Sequence, residues 1–189
     1  MEPSDVPGVE HILAAAEALR AEALALPDEL FVDMPSRERY RGQWKGFLLR
    51  VGPWEKEFPQ VDFAANRARC PVAMGVLEHL PNAPVAGFLR LDPGADLSQH
   101  TDFRDDDMVR VHLALQLPAE EAKRWPEGSL RLLDVRVPHS AKNPADRPRL
   151  TFVVDVKLGR PVAEGEVAPW DPPGNAAPPA TPGPAGTPA

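Results

Sequence analysis

The stretch that decides the fold of this chain is VRVHLALQL, residues 109–117. Arg110 and His112 alternate with valine and leucine, and this period of two is typical of a β-strand that has one face in an apolar core. The polar face then borders a cavity, while the apolar face packs against other elements. Residues 149–156 repeat the alternation, so the sequence predicts a sheet that encloses a polar interior.

Further strand-like segments lie on both sides of this stretch. They cover residues 85–91, 99–103, 129–134 and 150–156. Turn-forming groups such as Asp92-Pro93-Gly94 and Pro126-Glu127-Gly128 separate them. Many short strands at close intervals favour an all-β barrel or jelly roll.

The amino-terminal part of the chain has a different pattern. Apolar residues recur at helical spacing from Val9 to Leu26 and again from Pro71 to Leu80. Strand-like runs at residues 30–32 and 44–51 lie between these two segments. The pattern predicts two helices that flank the β core.

The chain divides into three regions on this basis. Residues 1–84 are predicted to hold N-terminal helices and the first strands, which complete the same domain. Residues 85–167 are predicted to form the β core. Residues 168–189 are rich in proline, alanine and glycine and lack the apolar side chains that drive burial, so we expect a disordered tail.

Composition narrows the class of protein. The chain has 189 residues, 43% of them hydrophobic, which suits one domain. A net charge of -7 argues against nucleic acid as a partner. The single cysteine, Cys70, excludes an intrachain disulfide, and no apolar run approaches the roughly 20 residues that span a bilayer. We expect a soluble cytoplasmic protein that does not bind a membrane.

A candidate metal site lies in the β core. His100 and Asp102 form an HxD motif, and residues two apart in a strand point to the same face. His139 follows the apolar stretch 130–135, which is interpreted as another strand that ends at the histidine. Two imidazoles and one carboxylate leave coordination positions open, as non-haem iron(II) chemistry with dioxygen requires.

Three further polar residues are candidates for binding a cosubstrate. Arg149 is suited to the distal carboxylate of a dicarboxylate such as 2-oxoglutarate, because guanidinium and carboxylate pair in a planar two-point contact. Arg110 and His112, on the cavity face of their strand, would add charge and hydrogen bonds. Arg147 is an alternative anchor, and Arg149 is alternatively a surface ion-pairing residue.

The HxD motif, RVHL at residues 110–113, VPHSA at 137–141 and RLTFVVD at 149–155 resemble the aspartyl/asparaginyl β-hydroxylase and proline hydroxylase family, most closely the bacterial L-proline cis-4-hydroxylases. The resemblance covers about residues 85–158. It implies a double-stranded β-helix (a cupin-like jelly roll), Fe(II), 2-oxoglutarate, O2 and hydroxylation of a C–H bond. By resemblance, His100, Asp102 and His139 carry iron, while Arg149, Arg110 and His112 handle 2-oxoglutarate.

Two positions depart from the family pattern. Asp102 stands where vertebrate members have glycine, which aligns this chain with the three-ligand bacterial branch. Leu89 stands where some members have a serine for the cosubstrate, so that contact is unassigned. The first 84 residues match the family poorly. The sequence therefore does not specify the substrate, the stereochemistry, the oligomeric state, or whether the reaction is a hydroxylation or a desaturation.

Other interpretations of these residues and of the function are open. The pattern fits equally well a His112 that is simply buried and hydrogen-bonded in the core. The acidic run Asp105–Asp107 is interpreted as the tip of a hairpin in preference to a second metal site. The expected substrate is an amino acid, or an aspartyl, asparaginyl or prolyl side chain in a peptide or carrier-bound unit. Alternatives are a cupin-like metalloenzyme that does not use 2-oxoglutarate, and a non-enzymatic ligand-sensing domain.

Overall fold

Two antiparallel sheets form the body of the molecule in the computed structural model, which describes residues 1–169. The strands are β1 (Val32–Asp33), β2 (Tyr40–Arg41), β3 (Trp44–Val51), β4 (Val85–Leu91), β5 (Asp96–His100), β6 (Met108–Gln116), β7 (Leu130–Leu133), β8 (His139–Lys142) and β9 (Arg149–Lys157). Six of them form a large sheet in the order β1-β3-β4-β9-β6-β7. The small sheet has the order β2-β5-β8.

The strand order identifies the architecture. From β4 to β9 the chain passes from the large sheet to the small sheet and back twice, and of these strands only β6 and β7 are both sequential and neighbours in one sheet. This interleaving of antiparallel strands is that of a jelly roll. The predicted fold class, a mainly β double-stranded β-helix with flanking N-terminal helices, is confirmed.

The helices lie mostly in the first 80 residues. They are α1 (Val9–Ala14), α2 (Ala16–Leu24), α3 (Phe63–Arg69), α4 (Pro71–Glu78) and the short α5 (Ala119–Ala122). The single helix predicted over residues 9–26 is wrong in one respect, because the backbone breaks at Ala15 and two helices result. The predicted helix at residues 71–80 is confirmed as α4, with Pro71 at its first position.

The apolar faces of the helices and of the large sheet pack into one core. Val111, Leu113 and Leu115, on the apolar face of β6, are buried together with Ile12 and Leu19 of the helices. The polar face of β6 points the other way, as its alternation predicted. Within residues 1–169, no helix is both long and apolar enough to cross a membrane.

Two strand boundaries differ from the prediction, and both matter for the site. The strand predicted at residues 99–103 is β5, which ends at His100, so Asp102 lies beyond it. His139 begins β8 instead of ending the preceding strand. A turn intervenes, in which the Asp134 side chain accepts hydrogen bonds from the backbone and the guanidinium of Arg136. The predicted tail falls almost wholly outside the described residues, from residue 170 onward.

Candidate active site

The two histidines of the predicted metal site face each other across the small sheet. His100 of β5 and His139 of β8 are register partners, and their ring centroids are 4.2 Å apart. The β5–β8 register shifts between Leu97 and His100, and such a bulge turns a side chain toward a new direction. His100, Asp102 and His139 each offer a donor atom within 4.8 Å of the others.

The hydrogen bonds of both imidazoles leave the same nitrogen for a metal. His100 Nδ1 lies 2.8 Å from the Ser98 carbonyl oxygen, and His139 Nδ1 lies 3.0 Å from that of Val137. A carbonyl only accepts, so each Nδ1 carries the proton and donates it, and each Nε2 presents its lone pair. Burial lowers the pKa of His139, which favours the neutral, metal-binding form.

The carboxylate of Asp102 is positioned from two sides. Its backbone N–H donates to the Val135 carbonyl at 2.8 Å, which ties the residue to the segment that precedes β8. Arg110 Nη1 donates to Oδ2 at 2.9 Å, while Oδ1 lies 3.7 Å from His100 Nε2. Burial acts to raise the pKa of Asp102, but the nearby guanidiniums of Arg110 and Arg104 outweigh it, and the pKa lies below its usual value.

A buried carboxylate, Asp155, stands behind Asp102. It accepts from Arg110 Nε at 2.6 Å and Nη2 at 2.9 Å, and from Arg104 Nε at 2.8 Å. Arg110 therefore spans two carboxylates, and one of them is a candidate metal ligand. Asp155 was not among the predicted site residues, although it lies on the polar face of the last strand, whose alternation was visible in the sequence.

These donors meet the requirements of a divalent metal of the iron type. Two imidazoles whose Nε2 atoms are not used in these hydrogen bonds, together with an ionised carboxylate, form the ligand set that suits non-haem iron(II). Outer partners fix all three side chains, as metal ligands require. His100, Asp102 and His139 are the residues that would hold the ion.

A narrow cavity of about 60 Å³ opens beside the two histidines. Arg149, Arg110 and His112 also line it, so all six predicted site residues lie at or next to one location. Its other lining residues are Trp44, Leu89, Leu91, Leu97, Leu133, Ser140, Ala141 and Thr151. Leu89, at the position where some family members are expected to have a serine, is thus in the cavity wall.

Arg149 is a buried cation and not a surface residue. It is 6% exposed, its Nε lies 3.5 Å from Glu121 Oε1, and its guanidinium lies over the Trp125 ring at 5.4 Å. Burial lowers its pKa, although Glu121 opposes that shift. Arg147, the alternative anchor, pairs with Glu127 at 3.4 Å and has a side chain that is 44% exposed, outside the cavity.

His112 is enclosed between two arginines. It is 7% exposed, and burial lowers its pKa well below the ordinary value, with Arg110 and Arg149 adding to the effect. The imidazole is therefore neutral, a form in which one ring nitrogen donates a hydrogen bond and the other accepts one. Its place in the cavity fits the predicted role with a cosubstrate and equally fits that of a buried histidine.

A second, wider cavity of about 310 Å³ lies on the other side of the metal ligands. Asp102 lines it, while His100 and His139 line the narrow one. Trp44, Leu89 and Arg110 line both cavities, so the three donor atoms lie where the two meet. Trp54 also lines the wide cavity, whereas Trp125 is buried beneath Arg149.

Comparisons with known proteins identify the family of this chain. The model of the family described as aspartyl/asparaginyl β-hydroxylase matches residues 14–158. The chain belongs to this family. The resemblance predicted from the sequence is therefore confirmed. The human aspartyl/asparaginyl β-hydroxylase is 28% identical over 157 residues, which cover 73% of this chain and 19% of the human protein.

The chain thus spans about a fifth of the length of this relative. Among solved structures, a prolyl-4-hydroxylase from Pseudomonas putida is 17% identical, with a TM-score of 0.38, and the match covers 78% of this chain and 86% of that one. A predicted oxalate decarboxylase from Thermotoga maritima is 12% identical, also with a TM-score of 0.38, over 68% of this chain and 92% of that one.

Proposed function

We propose that this member of the hydroxylase family is an Fe(II)- and 2-oxoglutarate-dependent dioxygenase that hydroxylates an amino acid, or an amino-acid unit in a peptide or on a carrier. One observation carries the proposal: three suitable metal donors lie within 4.8 Å of one another, between a narrow cavity with a buried arginine and a wider cavity.

In the proposed reaction, 2-oxoglutarate, O2 and a C–H bond of the substrate give succinate, CO2 and the hydroxylated product. One oxygen atom of O2 enters succinate and the other enters the product. When bound, ferrous iron supplies the redox chemistry between O2 and the two organic partners. His100, Asp102 and His139 are the proposed ligands, and the protein's other residues bind, orient and exclude water.

The narrow cavity is the proposed place for 2-oxoglutarate. Arg149 would pair with the distal carboxylate, since a buried guanidinium gains more from an anion than an exposed one does. His112 would hydrogen-bond as a neutral imidazole. Arg110 already donates hydrogen bonds to Asp102 and Asp155. Its positive charge would attract the anionic cosubstrate, and its bond to Asp102 would hold that proposed metal ligand in place.

The first test is binding, measured by calorimetry under anaerobic conditions. Protein loaded with Fe(II) should bind 2-oxoglutarate, and Arg149→Met should weaken that binding about 100-fold or more, because two charge-assisted hydrogen bonds are lost. Metal binding should be unchanged in this variant. Arg147→Met is the matched control, since that arginine lies outside the cavity.

The second test is turnover. O2 is admitted to the ternary mixture with a panel of free and peptide-linked amino acids, and succinate and hydroxylated products are measured by mass spectrometry. A metal-loaded protein that does not bind 2-oxoglutarate, or an Arg149→Met variant that binds it like the wild type, would refute the proposal. The first of these results would favour the cupin-like alternative.

A further inference from the structure

A cation lines the wide cavity next to one of the proposed metal ligands. Arg39 lines this cavity, and its Nη1 is 3.9 Å from Asp102 Oδ1. That oxygen is the one nearer His100 Nε2, whereas Oδ2 is bound by Arg110. The guanidinium of Arg39 therefore faces the metal-ligand side of Asp102, from the cavity that the proposed cosubstrate does not occupy.

The backbone of Arg39 is attached to the strand that carries a metal ligand. Arg39 ends a single 3-10 turn, Arg37–Arg39, in which its N–H donates to the Ser36 carbonyl at 2.8 Å. The Ser98 hydroxyl of β5 donates to the Arg39 carbonyl. The Ser98 carbonyl in turn accepts from His100 Nδ1, so one residue fixes both the cation and the imidazole.

The side chain of Arg39 has weak partners compared with the other arginines of the cavity. Its ion pairs with Glu38 and Asp102 are both 3.9 Å long, and the side chain is 42% exposed. Charge-assisted N–H···O bonds are about 2.7–2.9 Å long. Arg104 and Arg110 make such bonds to Asp155, at 2.6–2.9 Å. Arg39 therefore retains donor capacity for a ligand.

The rest of the wide cavity is largely apolar. Leu48, Val51 and Phe58 form a buried cluster, and Met34 packs against it. All four line the cavity, together with the aromatic rings of Trp44, Trp54 and Phe103. Phe103 is 87% exposed, so an aromatic surface extends out to solvent. A ligand that fits these walls has an apolar body of appreciable size.

Building on the proposed function, we propose that Arg39 binds the carboxylate of the primary substrate, and that this substrate is a carboxylic acid with an aromatic or branched aliphatic body. The carboxylate pairs with the guanidinium beside Asp102, and the body lies against Leu48, Phe58 and Trp54. This places the carbon atoms next to the carboxylate closest to the metal ligands. A bound divalent ion offsets the charge of Asp102 and so favours a second carboxylate nearby.

The experiment measures binding without turnover. Protein loaded with Zn²⁺, which is redox-inactive, and saturated with 2-oxoglutarate is titrated by calorimetry with 3-phenylpropanoate and with 3-phenylpropanamide. These probes have the same body and differ in the charge of one group. Acetate, which has the carboxylate and no body, is the third probe. The variants are Arg39→Met, Arg39→Lys and, as a matched control, Arg41→Met, an exposed arginine two residues further on.

We expect the wild type to bind the acid at least about 10-fold more tightly than the amide, as one charge-assisted hydrogen bond implies, and more tightly than acetate. Arg39→Met should abolish the preference for the acid, Arg39→Lys should keep part of it, and Arg41→Met should behave as the wild type. Equal binding of acid and amide by the wild type, an unchanged preference in Arg39→Met, or no binding of the acid at millimolar concentration would overturn the inference.

The same samples separate this inference from the proposed function. Binding of Zn²⁺ and of 2-oxoglutarate is measured before each titration, and Arg39→Met should alter neither. Arg149→Met should show the opposite pattern, with 2-oxoglutarate binding lost and the acid preference kept. Failure of 2-oxoglutarate to bind counts against the proposed function alone, because the acid and amide can still be compared on the zinc protein.

Discussion

Replacing Asp155 with asparagine removes the negative charge that pairs with the buried guanidinium of Arg110. Asp155 is 1% exposed and accepts three hydrogen bonds, two from Arg110 and one from Arg104. Asparagine keeps one acceptor oxygen but replaces the other with an NH2 group, which donates toward a guanidinium that also donates. The variant therefore leaves a buried cation with one fewer anionic partner.

The cost follows from this burial. Removing one partner of a buried ion pair costs about 3–5 kcal/mol, because the remaining charge stays out of water. Arg110 keeps its contact with Asp102, so we expect about 3 kcal/mol, which corresponds to a fall in Tm of about 6–12 °C for a chain of this size. Asp96→Asn is the control. Asp96 pairs with Lys142 at the surface, at 3.1 Å, and its loss should cost less than about 1 kcal/mol.

Urea unfolding of the metal-free protein, followed by tryptophan fluorescence, measures this cost, and a metal titration of the same variant measures the effect on the site. Metal affinity should fall about 10- to 100-fold, as when an outer partner of a ligand is lost. The double variant Arg110→Met, Asp155→Leu removes both charges and should recover most of the stability. It should not recover metal affinity, because Asp102 Oδ2 then lacks its donor.

Two results would contradict this reasoning. If Asp155→Asn unfolds at the same urea concentration as Asp96→Asn, the buried carboxylate does not stabilise the fold. If Asp155→Asn and the double variant both bind metal as the wild type does, Arg110 does not position Asp102.

Three further predictions follow from the site and the core. His139→Ala should lower metal affinity by more than the roughly 100-fold that an outer partner contributes, while His79→Ala, in the α4 region, should leave calorimetric titrations unchanged. Because burial lowers the pKa of His112 and His139, the unfolded chain binds more protons below pH 6.5, and the stability of the metal-free protein should fall as the pH drops through that value. In urea titrations at a series of pH values, the free energy of unfolding should change by up to about 1.4 kcal/mol per pH unit for each imidazole, and His112→Leu should remove one of the two contributions. Burial raises the pKa of Cys70 to about 12, so a thiol reagent at pH 8 should label it only after unfolding, and rapid labelling of the native protein would contradict that burial.

The sequence was sufficient for the fold where alternation is strong. β6 and β9 are long, and their polar and apolar faces are distinct, so their position and orientation could be predicted from residues 109–117 and 149–156. β8 has four residues, and no pattern of that length identifies a strand. Its pairing with β5 is a tertiary contact, which explains why His139 was expected to end one strand and instead begins another.

The candidate site could likewise be predicted only in part. The donor types of His100, Asp102 and His139 followed from the motif, but the reason given for His100 and Asp102 sharing a face was wrong. Asp102 lies beyond β5 and is positioned by the Val135 carbonyl and by Arg110, neither of which the spacing of an HxD motif specifies. Arg39 belongs to no motif, and only the packing of its turn against β5 brings it to the cavity.

The break between α1 and α2 has no counterpart in the sequence pattern either. Ala15 is a good helix former, and helical spacing continues through it. Its backbone nevertheless leaves the helical region, and its N–H donates to the carbonyls of His11 and Leu13. Ile12 and Leu19, one on each side of the break, are both fully buried, so core packing overrides local propensity here.

The facing histidines of β5 and β8 also bear on the mechanical integrity of the small sheet. Its strands have two, five and four residues, too few for backbone hydrogen bonds alone to hold them strongly. An ion bound by His100 and His139 would act as a crosslink between segments that are far apart in the chain, and its binding energy would add to that of folding. Binding of the metal ion should therefore slow hydrogen–deuterium exchange of the β5 and β8 amides, so that the small sheet becomes more rigid as the metal site fills.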